Sequence, residues 1–146
     1  MTLPIDPAAL EADDIGEERA TLEMAHDEAI EHVRETFSAA GFGFPIEFSP
    51  SDLLNEKVDA DRDPYYVLGA CNPAMADRAL DASDKRIGGL FPCGVVLWEE
   101  SPGVQQVYHV SIMRIARLVG MAPDDDAWAD IVADTGEMVE EAMGNL

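Results

Sequence analysis

Apolar positions along the chain switch between a strand period and a helix period, and the switches mark out its elements. Ala20, Leu22 and Met24 alternate with Thr21 and Glu23, the spacing of a half-buried strand. From Asp27 the spacing becomes helical, with Ile30, Val33, Phe37 and Ala40 on one stripe and Glu28, Glu31 and Glu35 outside it. Gly41 ends that helix. Residues 42–48, FGFPIEF, read as a second strand, and Pro45 assigns it to a sheet edge because proline cannot donate to a ladder. A short capped helix over 49–57 and an acidic loop over 59–64 come after it.

Residues 65–70, YYVLGA, are continuously apolar, as expected of a central strand covered on both faces. Asn72 and Pro73 then open a helix: a capping side chain, followed by a residue that needs no amide hydrogen. Met75, Ala76, Ala79 and Leu80 form its inward stripe. Residues 87–92, IGGLFP, form an apolar loop in which Gly88 and Gly89 let the backbone pass close to a neighbour. A strand over 95–98, a turn at EESPG and an antiparallel partner over 104–112 come next. On that partner Tyr108, Val110 and Ile112 face one way, and Val107, His109 and Ser111 the other. A short helix over 113–119 ends at Gly120, and a long one carries Trp128, Ile131, Val132, Thr135, Met138, Val139 and Ala142 on one face. The resulting order predicts a two-layer α/β sandwich, with a mixed, mostly antiparallel sheet of about five strands and helices on one face. Residues 1–17, with Pro4, Pro7 and a run of acids, read as a flexible acidic arm before a single α/β domain over 18–146.

Charge changes the picture more than composition does. Of 146 residues 30 are acidic and 9 basic, a formal net charge of -21, while 47% are hydrophobic. The acids are spread among well-patterned apolar residues, so disorder does not account for them. A surface adapted to molar salt does, because like charges barely repel where the Debye length is about 3 Å. The expected setting is a halophile's cytoplasm. Phosphate backbones and anionic lipid heads need clustered Lys and Arg, so nucleic acid and membrane surfaces are excluded as main partners. No apolar run is long enough to span a bilayer, and the acidic N-terminus has no signal-peptide pattern.

Candidate chemistry gathers where the chain turns between its apolar strands. Cys71 precedes a helix start, whose unpaired amides favour a thiolate. Cys93 follows Pro92 at the mouth of the next strand, so neighbouring strands would bring the sulfurs together as a redox pair or as ligands of a soft metal. His109 is a third ligand, or a base for a thiol, if its face carries the cysteines. No C-x-x-C, phosphate-loop, nucleophile-elbow or zincin motif is present, and His26 and His32 have no metal-pair spacing.

Gly69-Ala70-Cys71-Asn72-Pro73, then Ala76 and Leu80, Gly88, Leu90, Pro92-Cys93 and Val95, together resemble the domain of unknown function 302 family over roughly residues 19 to 142. The resemblance implies a small α/β domain, often dimeric, with no settled activity. At the turn after the last strand, where the family often shows an acid-proline pair, this chain has Ser111-Ile112-Met113. Three functions are compatible with these residues. The leading one is a non-enzymatic binding domain with a pocket between the sheet and the Cys71 helix, built from Cys71, Asn72, Pro73, Gly88, Pro92, Cys93 and His109. Its occupant would be a small ligand, a soft metal ion held by Cys71, Cys93 and His109, or haem. The others are a thiol-redox enzyme using Cys71 and Cys93, and a structural homodimer subunit.

Overall fold

A computed structural model describes residues 4–146. The order is β1 (Glu18–Glu23), α1 (His26–Ala39), β2 (Gly43–Phe48), α2 (Pro50–Val58), β3 (Tyr65–Cys71), α3 (Pro73–Ala82), β4 (Cys93–Ser101), β5 (Val104–His109), α4 (Ile112–Leu118) and α5 (Asp126–Gly144). The strands form one sheet in the order β1-β5-β4-β3-β2. Every pairing in it is antiparallel. The α/β sandwich expected from the sequence is present, and Pro45 sits on edge strand β2 as its missing amide requires.

The strand register divides the side chains between two faces. Leu22, Val107, Leu97, Val95, Leu68 and Ala70 point inward and are buried beneath Ile30, Val33 and Phe37 of α1 and Val139 and Ala142 of α5. A second core joins Ala79 of α3, Ile87, Ile112, Met113 and Ala116 of α4, and Trp128, Ile131 and Val132 of α5. Trp128 is fully buried, and its indole N–H donates to the Met113 carbonyl at 2.9 Å. That bond removes the cost of burying a lone donor.

The outward face of β3 corrects the expectation that this strand is covered on both sides. Tyr65 and Val67 pair across to Trp98 and Val96, and all four stay partly exposed. The continuous apolar run arises because the outer positions pack against each other instead of under a helix. Tyr65 lies parallel to Trp98 with ring centroids 5.9 Å apart, and the Arg19 guanidinium lies 5.0 Å from the Tyr108 ring centre. Further along this face Ile46 is 56% exposed and Phe48 46%.

One boundary also differs. The run over 104–112 stops being a strand at His109, because Ser111 caps α4 by accepting from the Arg114 amide at 3.2 Å. The acidic arm contains 3-10 turns at Pro7–Ala9 and Ala12–Ile15. The second lies along α4: the Ser111 amide donates to the Ile15 carbonyl at 2.8 Å, and Arg114 Nη1 to the Asp13 carbonyl at 3.1 Å.

Candidate functional site

Antiparallel pairing of β3 with β4 sets Ala70 opposite Cys93, so Cys71, the next residue, leaves the sheet beside the point where Cys93 enters. The helix cap fixes the path of the chain beyond Cys71. Asn72 Oδ1 accepts from the Met75 amide at 3.0 Å, Pro73 takes the first helical position, and Asn72 Nδ2 donates to the Gly41 carbonyl at 2.9 Å. One side chain thus starts α3 and ties it to the turn between α1 and β2. On the other side Pro92 folds over Gly69. A Cβ built there would stand 2.8 Å from the Ile46 carbonyl oxygen and 2.9 Å from Pro92 Cγ, so only glycine lets β2, β3 and the Pro92 loop meet.

These elements enclose a cavity of about 300 Å³ with mostly apolar walls. Cys71, Cys93, Met75, Phe91, Pro92 and Met113 are on its wall, and so is Asn72. The thiols are free, and the two cysteines are near enough for Cys71 to raise the pKa of Cys93. Burial is the larger cause, and together they push the Cys93 thiol to about 11 although the Ile112 amide pulls the other way. Pro73 and Gly88, grouped with these residues by the sequence, are off that wall: Pro73 opens α3, and Gly88 lies in the 3-10 turn Arg86–Leu90.

His109 separates from Cys71. It shares the inward face with Val95, directly opposite in the register, and lines a different cavity of about 120 Å³. Cys93 borders both cavities. The three-ligand arrangement drawn from the sequence does not form. Among the described residues no three of His, Cys, Asp and Glu stand together closely enough to hold a metal ion. The reason is local: the His109 ring is turned to the Gly94 carbonyl, 2.9 Å from Nδ1.

Phe42, Ile46, Met75, Phe91, Ile112 and Met113 complete the apolar cavity and escaped the sequence reading. Met75 reads as an ordinary core position. Ile112 and Met113 read as strand and helix-start residues with no sign of the cavity. The missed signal was Ser111, a capping residue that bends the chain and brings them to the thiols.

The family model described as "Domain of unknown function DUF302" matches residues 18–146, from the first residue of β1 to the end of α5 and the two residues after it. The chain belongs to the DUF302 family. No curated protein matches it. The fold of this DUF302 chain is similar to that in the crystal structure of an uncharacterized conserved DUF302 protein from Bacillus stearothermophilus, with a TM-score of 0.75 and 24% identity. The likeness covers 88% of this chain and 96% of that one. At that identity it is the architecture that is shared, and the thiol cavity is described from this chain's own residues.

Proposed function

We propose that this DUF302 chain is a non-enzymatic binding domain whose ligand is a small, predominantly apolar molecule held where β3 and β4 meet α3. One observation carries the reading: both thiols and two methionines open on a single cavity of about 300 Å³ whose walls are otherwise mainly hydrocarbon. That volume lies at the lower end of the range of ligand pockets, about 300–1,000 Å³. The thiol-exchange alternative draws less support, because a Cys93 thiol raised to about 11 stays protonated near neutrality. The charge of -21 supports a salt-rich cytoplasm as the working environment.

Indole, a small neutral probe, tests the cavity through the methyl resonances of Met75 and Met113. Saturable shifts of both, abolished by Ala76→Phe in a variant with an unchanged near-ultraviolet spectrum, are expected. Absence of any saturable shift in the folded wild type sinks the reading. A cadmium-thiolate absorption lost in Cys71→Ser and in Cys93→Ser, without indole binding, would replace the apolar ligand with a soft metal.

A second reading, pairing with another copy through the outer sheet face, is favoured by the exposure of Ile46 at 56% and Phe48 at 46% beside the Tyr65, Trp98 and Tyr108 rings. Sedimentation in molar KCl should give a dimer mass that Phe48→Glu reduces to a monomer. A wild-type monomer across the accessible concentrations removes this reading.

A further inference from the structure

The smaller cavity, at the other side of Cys93, differs from the thiol cavity in chemistry: Asp13, Glu17, Glu18 and Glu140 are on its wall against a single cation, Arg114. His109 is 2% exposed, and the Gly94 carbonyl at 2.9 Å from Nδ1 can only accept, so Nδ1 carries the proton and Nε2 is a bare lone pair. Burial lowers the pKa of this ring, with the Gly94 bond opposing, which keeps it neutral. Among the described residues no donor is hydrogen-bonded to Nε2. Among the described residues no fully enclosed side-chain nitrogen or oxygen lacks a partner, so Nε2 keeps accessible surface, and the cavity that His109 lines is where that surface is available.

Glu18 stands directly opposite His109 in the β1–β5 register, and Glu140 of α5 lines the same cavity. The Glu18 carboxyl is pushed up by burial first and by Glu140 second, so the carboxylates repel each other across the space. Neither belongs to an ion pair among the described residues. Thr135 gives its hydroxyl proton to the Ile131 carbonyl at 2.8 Å, leaving lone pairs for the cavity. Arg114, the cation on the wall, spends Nη1 on the Asp13 carbonyl at 3.1 Å and pairs with neither glutamate.

We propose that this cavity binds a small alkylammonium ion, its N–H groups donating to His109 Nε2 and to the carboxylates of Glu18 and Glu140. Asp13, Glu17, Glu18 and Glu140 stand on the wall against one cation, Arg114, so the site calls for a positive guest, and the three acceptors His109 Nε2, Glu18 and Glu140 call for one that carries N–H groups. An ammonium also needs less convergence from its partners than a bare metal does. N–H···O contacts reach about 2.9 Å, whereas a bound transition metal draws its ligands to about 2.1 Å. The described residues lack the tight convergence a metal needs. The site is separate from the apolar cavity, and the two share only Phe42, Cys93, Ile112 and Met113 on their walls.

The test uses the full chain in molar KCl, exchanging KCl for methylammonium chloride at constant ionic strength while the ring nitrogens of the three histidines are followed by NMR. A saturable shift confined to His109 Nε2 is expected. Tetramethylammonium, of equal charge but without N–H, should leave it unmoved. Glu140→Gln, a change at an exposed helix position that spares the fold, should weaken methylammonium binding about tenfold, the value of one charged hydrogen bond. Glu18→Gln, checked for folding by circular dichroism, should do the same. No saturable shift, an equal shift with tetramethylammonium, or unchanged binding in Glu140→Gln overturns the proposal.

Discussion

Cys93 is the residue whose place decides most about the molecule, because it is the wall between an apolar and a polar cavity. Its thiol is raised from an ordinary 9.0 to about 11 by burial and by Cys71. A raised pKa means that the folded state holds its proton after the unfolded chain has lost it. The contribution is therefore complete below pH 9.0 and is lost as pH climbs through about 11. Urea unfolding across that window should show wild type losing roughly 2 kcal/mol more than Cys93→Ala, taking about 1.4 kcal/mol per pKa unit. Parallel curves for the two proteins would place the thiol at its ordinary pKa. The sequence brings Cys71, Cys93 and His109 to one region, yet only Cys71 and Cys93 share the apolar cavity. The parting of His109 rests on the alternation of the pleat and on the β4–β5 register, and neither is written in residue type.

At the scale of elements, local signals were legible wherever one residue fixes one backbone group. Pro45 located an edge strand, and Asn72-Pro73 located the start of α3 at the correct residue. What the chain did not reveal was which apolar strand faces stay open, since a run such as YYVLGA has the same pattern under a helix as in a self-packed aromatic patch. Asn72 shows how much a cap can carry beyond its helix. It accepts from Met75 at 3.0 Å and donates to the Gly41 carbonyl at 2.9 Å, so it holds α3 against the α1–β2 turn over the cavity. Asn72→Ala should cost about 1–2 kcal/mol for the cap, and more for the orphaned carbonyl. Asn72→Ser keeps a capping oxygen and gives up the amide, so its loss should be the smaller. Urea midpoints that rank the two variants equally would show that the cap carries none of the stability.

For the whole molecule the decisive quantity is the imbalance of 30 acids against 9 bases. Ion pairs do little to offset it. Among the described residues the cations found in pairs are Arg19, Arg34, Lys57 and Arg78, which leaves most carboxylates facing water or one another. A domain of this length has a radius of gyration of roughly 15 Å. At ~0.01 M salt the Debye length is about 30 Å, and every carboxylate then senses every other. In molar salt it falls to about 3 Å, and only adjacent acids interact. Unfolding moves the charges apart, so screening should stabilise the folded chain far more than it does a protein of balanced charge. The melting temperature is expected to climb steadily as KCl is raised from tens of millimolar to molar. Sucrose strengthens burial by exclusion without screening, and at low salt it should recover only part of that gain. If Tm is flat in KCl, or if sucrose recovers all of it, electrostatic self-repulsion is not what the acidic surface is tuned against.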